Sequence, residues 1–121
     1  MADIKVLLVD DEKELVTTLV ERLGFRGVAA DFALSGREAL QKLKEESFTV
    51  VVLDVKMPGM SGLDVLSAIK QDFPKLPVLL ITGHGSPADE GKIPVDAFDY
   101  LPKPISLERL LTKIREAVAS V

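Results

Sequence analysis

Three acidic side chains in a row, Asp10, Asp11 and Glu12, follow the apolar run "LLV" at residues 7–9. Like charges about 4 Å apart repel by roughly 4 kcal/mol per pair at an effective dielectric of 20. Exposure at a strand end, or a helix N-terminus, offsets part of that cost, so the cluster calls for either a helix start or a bound cation. Other reactive residues share its setting. Asp54 closes the run "VVVL", Thr82 closes "VLLI", and Lys103 follows "DYLP". In open parallel sheets ligands bind beyond the carboxyl ends of the strands. If these runs are neighbouring strands, three carboxylates, a hydroxyl and an ammonium converge on one edge. Such oxygen donors suit Mg²⁺, which keeps several waters and often bridges to a phosphoryl group. A carboxylate beside it can accept the phosphoryl group covalently, with Lys103 and Thr82 balancing and hydrogen-bonding the added charge.

Each residue alone has an ordinary reading. Asp-Asp at a strand end is commonly a helix N-cap region, Asp54 a turn residue, Thr82-Gly83 a loop start and Lys103-Pro104 a solvated turn. Their joint occurrence in register makes coincidence a poor account. His84 is the single histidine and has no Cys or His partner, so a transition-metal site is not expected. "MPGMSG" at 57–62 lacks the terminal Lys-Ser/Thr of a phosphate-cradling loop. Its glycines are read as shaping the turn beside Asp54.

The positioning elements follow from periodicity. Strands are expected over 5–9, 28–32, 49–53, 78–82 and 98–101, several continuously apolar as inner strands of a parallel sheet are. Leu15, Val16, Leu19, Val20 and Leu23 recur at helical spacing, and Gly24 is expected to stop that helix. "SGRE" at 35–38 has the spacing of a capping box, "SGLD" at 61–64 is a weaker form of it, and Ser106 caps a last helix with the stripe Leu107, Leu110, Leu111, Ile114 and Val118. Strand and helix in alternation give a doubly wound, three-layer α/β sandwich. The fourth crossover is the poor fit. Pro87, Gly91 and Pro94 leave room for a short or irregular helix of little more than residues 87–92.

The bulk properties agree. A chain of 121 residues, 47% hydrophobic and 28% charged, is expected to form one domain over residues 1–121. The absence of Cys excludes thiol chemistry and a disulfide framework, and fits a reducing compartment. A net charge of −4 without a basic run argues against direct nucleic-acid binding. No stretch has the length of a membrane span and no signal-peptide pattern opens the chain, so a cytoplasmic location is expected.

The motifs "VDDE" at 9–12, "LDVKMPGMSG" at 53–62, "ITGHG" at 81–85 and "DYLPKP" at 99–104, in that order, resemble the receiver domain of two-component response regulators. The resemblance covers essentially the whole chain. It implies a flavodoxin-like sheet of order 2-1-3-4-5. It also implies that Asp54 is the phosphorylated aspartate, and that Asp10 and Asp11 are the Mg²⁺ acids, with Asp11 and the main-chain carbonyl of Lys56 as direct ligands. Thr82 and Lys103 then contact the phosphoryl group, Tyr100 is an aromatic switch that follows Thr82, and the bond before Pro104 is cis. Implied partners are a sensor histidine kinase or phosphotransfer protein, and an output domain or effector. A homodimer, if formed, would be weak, because the fourth helix lacks a regular face. Lys56 and His84 are expected to flank the path of the hydrolytic water and to prolong the phosphorylated state.

Two fold-mates are excluded by residue type. A haloacid-dehalogenase-type hydrolase needs an Asp two residues after its nucleophile, where this chain has Lys56. An FMN carrier would bring its phosphate against Asp10, Asp11 and Glu12. The remaining alternative is a degenerate receiver acting as a phosphorylation-independent interaction module.

Overall fold

The runs 6–9, 50–53 and 78–81 are continuously apolar and buried, as strands covered on both faces are, and the architecture follows from that. A computed structural model describes residues 3–57, 59–83 and 97–121. Its elements are β1 (Lys5–Val9), α1 (Lys13–Phe25), β2 (Ala29–Ala33), α2 (Gly36–Glu45), β3 (Val50–Asp54), α3 (Gly62–Asp72), β4 (Val78–Thr82), β5 (Asp99–Pro102) and α4 (Leu107–Ala119). The strands form one sheet of order β2-β1-β3-β4-β5, with every pairing parallel. This is the doubly wound, flavodoxin-like sandwich expected from the sequence. The expectation of a short fourth crossover helix falls on residues 84–96 and lies outside the described residues, as does His84.

Side-chain alternation sorts the core into two layers. Val6 and Leu8 of β1, Val50 and Val52 of β3, and Leu79 and Ile81 of β4 pack against Val16, Leu19 and Leu23 of α1 and Leu110, Leu111 and Ile114 of α4. Leu7, Val9, Val51, Leu53, Val78 and Leu80 face the other way, against Ala39 and Leu43 of α2 and Val65, Leu66 and Ile69 of α3. Continued by two residues, the first alternation reaches Asp10 and Asp54. The packing that fixes the strands therefore aims both carboxylates at one place.

The helix starts behave as the sequence indicates. Ser35, Ser61 and Ser106 each accept the backbone N–H three residues on, from Glu38, Asp64 and Arg109. Glu38 reaches back 2.8 Å to the N–H of Leu34, one residue before the cap. The stop signal of α1 needs correction. The helix runs through Gly24 to Phe25, and the turn is made by Gly27, whose φ is +79°. Gly27 N–H donates to Gly24 O (3.1 Å) and Val28 N–H to Leu23 O (2.9 Å), the paired bonds of a Schellman ending. Val28 is spent on that ending and packs with Leu23 in the core, so β2 begins one residue later than expected. β3 and β5 also begin one residue later, although Thr49 and Phe98 already donate backbone bonds to Lys5 O and Val78 O.

Candidate functional site: a carboxylate cluster at the strand ends

Asp10, Asp54 and Thr82 are the buried polar side chains among the described residues, and all three sit where a buried strand ends. Asp54 is the last residue of β3, Thr82 the last of β4, and Asp10 follows β1 directly. Oxygen atoms of Asp10, Asp11 and Asp54 lie within 4.8 Å of one another. Asp11 is exposed at the mouth of the cluster. The three acids inferred from sequence are thus brought together.

Local backbone bonds hold the carboxylates in place. Asp10 Oδ1 accepts the N–H of Glu12 at 2.9 Å, and Asp54 Oδ1 accepts the N–H of Lys56 at 3.2 Å. The side chain of Lys56 is exposed. Gly59, with φ +76°, turns the loop after β3, and Gly62 then packs on the strand end. Its N–H donates to Val55 O at 2.9 Å, and a Cβ there would lie 2.6 Å from Val55 Cα and against Asp54 O. Only a residue without a side chain fits so close to the backbone of Asp54.

Lys103 supplies the counter-charge. Its Nζ lies 3.0 Å from Glu12 Oε1, 3.2 Å from Asp10 Oδ2 and 3.5 Å from Asp54 Oδ2. Its backbone N–H donates to Thr82 O at 2.7 Å, and the Lys103–Pro104 peptide is cis. Among the described residues, the Thr82 hydroxyl makes one long bond, 3.5 Å, to Leu101 O. Tyr100 is half-buried against the layer containing Leu80 and Val78.

Electrostatics reflect this crowding. Burial, then the charge of Asp10, raises the Asp54 carboxyl above its usual range despite Lys103 and the Lys56 N–H. Burial likewise raises Asp10, against the Glu12 N–H and Lys103. Lys103 goes the other way. Burial would lower it, but the Glu12 hydrogen bond and the charges of Asp10 and Asp54 outweigh that and hold it well above the ordinary lysine value. Among the described residues, three carboxylates contact one ammonium and Asp11 lies beside them, an imbalance that a divalent cation or a strongly bound proton relieves.

Sequence reasoning missed one residue. Glu12, noticed only as part of an acidic run, is the nearest carboxylate to Lys103. Gly59 and Gly62 shape the turn beside Asp54 as expected, though the closeness of Gly62 to the Asp54 backbone was not foreseen. An apolar cavity of about 610 Å³, lined by Phe48, Phe73, Pro77 and Val118 among others, opens at the amino-terminal ends of β3 and β4. None of the strand-end acids lines it, so it is not where this chemistry happens.

Comparison with known proteins gives the same picture. The response regulator receiver domain matches residues 6–115. The transcriptional regulatory protein TctD of Salmonella typhimurium is 40% identical over 112 residues, covering 92% of this chain and 50% of that protein. The response regulator MprA of Mycolicibacterium vanbaalenii is 36% identical over 113 residues, covering 93% and 49%. This chain therefore spans about half the length of the curated relatives it matches. Among solved structures, a response regulator receiver domain protein from Clostridium thermocellum superposes with a TM-score of 0.88 at 34% identity, covering 97% of this chain and 95% of that one. A CheY-like receiver protein from Methanospirillum hungatei superposes with a TM-score of 0.89 at 27% identity, covering 98% and 96%. Fold, strand-end acids and relatives agree, and the chain belongs to the receiver domain family of two-component response regulators.

Proposed function

We propose that this receiver accepts a phosphoryl group on Asp54. One observation carries the reading: a buried strand-end carboxylate with a lysine 3.5 Å from its Oδ2 and two further acids grouped beside it. An Asp54 Oδ attacks the phosphorus of a phosphohistidine in a sensor kinase or phosphotransfer protein. The P–N bond breaks as the P–O bond forms, and the imidazole nitrogen keeps the electron pair. Phosphoryl transfer asks the protein for position and charge rather than covalent chemistry. The Lys56 N–H orients Asp54, Lys103 offsets the incoming charge, and the Thr82 hydroxyl can donate to a phosphoryl oxygen.

The donor set fits Mg²⁺. Oxygens at about 2.1 Å from an octahedral ion are separated by about 3–4 Å, within reach of carboxylates already grouped at 4.8 Å. Asp10, Asp11, Asp54 and the carbonyl of Lys56 would hold the ion, which when bound would neutralise charge on the transferring oxygens. Occupation of the site would draw Thr82 inward and let Tyr100 follow as the switch. Output passes to an attached domain or separate effector. Relatives named as transcriptional regulators support an output of that kind. We place the domain in the cytoplasm, as one unit over residues 1–121 with at most a weak homodimer. No helix among the described residues is long and apolar enough to cross a membrane. The acids, Thr82 and Lys103 all stand assembled, and no observation favours the phosphorylation-independent module.

Incubation with acetyl phosphate and Mg²⁺ should add one phosphoryl group. Asp54→Asn and EDTA should each abolish it. Undiminished labelling of Asp54→Asn at any position other than a neighbouring carboxylate would refute the assignment.

A further inference from the structure

Glu12 occupies the N-cap of α1, yet its side chain caps nothing. A cap normally turns its oxygen onto the first free N–H groups of the helix, and Ser35, Ser61 and Ser106 do so in α2, α3 and α4. The Glu12 carboxylate instead meets Lys103, ninety-one residues away, at 3.0 Å. That is the shortest of the lysine's three carboxylate contacts, and the contact to Asp54 is the longest. The ammonium donates to Glu12 and Asp54 and pairs with Asp10 at 3.2 Å, so three carboxylates share one lysine. The three differ in fate once the site is engaged. On the proposed function, Asp10 would help hold the cation and Asp54 would carry the new group. Among the described residues the Glu12 carboxylate meets no other partner, and it alone keeps competing for the lysine.

We propose that Glu12 is a positioning residue that holds Lys103 back from the acceptor in the resting state. Release of this contact is then part of phosphoryl binding. The proposal rests on Asp54 as the acceptor and deepens that reading. Glu12 also donates its backbone N–H to Asp10, so one residue sets both the lysine and a cation-binding acid. The backbone role survives any side-chain change. The carboxylate role does not, and the two can be separated.

The test is a double-mutant cycle on beryllofluoride binding at saturating Mg²⁺, followed by ¹⁹F NMR on the intact chain. Beryllofluoride stands in for the phosphoryl group on the Asp54 carboxylate. Glu12→Gln keeps the size and the backbone donor but removes the charge. It should tighten binding about two- to five-fold, the scale of a half-exposed ion pair. In a Lys103→Met background the same change should have no effect. An equal gain in both backgrounds means simple removal of a repelling charge, and overturns the proposal while leaving Asp54 as acceptor. A Lys103-dependent loss of affinity means Glu12 assists the lysine, and also overturns it. No occupancy of the wild type, with Asp54→Asn equally silent, overturns the acceptor assignment and this inference with it. Circular dichroism of each variant, matched to wild type, separates all of these from misfolding.

Discussion

A carboxylate among carboxylates is stable only with something to offset it, and the residues at the strand ends have one ammonium between them. Added Mg²⁺ should therefore stabilise the fold. Binding at ten times its dissociation constant adds about 1.4 kcal/mol. Asp11→Asn should lose most of that gain while unfolding at nearly the wild-type temperature without metal, since Asp11 is exposed. Thermal melts with and without Mg²⁺ measure both. A second expectation concerns Lys56. Its backbone is pinned to Asp54 Oδ1 while its side chain is exposed beside the site. Lys56→Ala should hasten loss of the phosphoryl group about two- to five-fold, the range of an exposed ion pair. An unchanged decay of labelled protein would remove lysine shielding from the account. Residue types were the most legible feature of the sequence. Asp10, Asp54, Thr82 and Lys103 each close or follow an apolar run, and strand ends expose what they carry. The partner chosen by Lys103 was not legible, because three acids compete for it and tenths of an ångström decide.

Elements meet through glycines and cross-element pairs, and both make testable contrasts. Gly62→Ala pushes a methyl into Asp54 O and Val55 Cα, and should cost roughly 1–3 kcal/mol as overpacking. Phosphorylation should slow as well, since the displaced backbone belongs to Asp54, the proposed acceptor. Gly27→Ala should cost about 1–2 kcal/mol for its left-handed backbone. Gly24→Ala, inside α1 with open space around it, should gain about 0.5–1 kcal/mol. Urea midpoints at constant slope report all three. The α1 ending shows why boundaries were less legible than elements. Gly24 and Gly27 are both plausible stops, and the choice is made by Val28, whose burial against Leu23 pulls the chain into the later turn. The pairs Asp31–Lys42 and Asp99–Lys113 tie β2 to α2 and β5 to α4 at 3.1 and 2.6 Å. Burial alone would raise both acids. The Phe32 N–H and Lys42 hold Asp31 below its usual value, and Lys113 with the Tyr100 N–H does the same for Asp99. A folded value below the unfolded one means stability that is present above pH roughly 4 and lost as pH falls through the folded value. Asp31→Asn and Asp99→Asn should accordingly destabilise at pH 7 and converge on wild type near pH 2, as urea titrations at the two pH values would show. A constant difference would mean that the loss comes from packing.

At the scale of the whole molecule, alternation of apolar strands and amphipathic helices was enough to read a sandwich, and the motif order supplied the strand order. Periodicity alone does not rank strands within a sheet, because β2 and β5 have the same local character as any edge strand. The sheet also separates its ends. Acids gather at the carboxyl edge, while the cavity by Phe48 and Phe73 opens at the other. Lys103 joins parts of the chain made at very different times. Asp10 to Glu12 leave the ribosome early and Asp54 midway, but their ammonium arrives 49 residues after Asp54 and 91 after Glu12. At ordinary elongation rates of about 5–20 residues per second, the interval from Glu12 to Lys103 lasts roughly 5–18 seconds. Throughout it, the nascent acids lack the lysine that contacts them in the fold. Charge balance therefore waits on β5, and a polypeptide interrupted before it would carry the acids without the lysine that answers them.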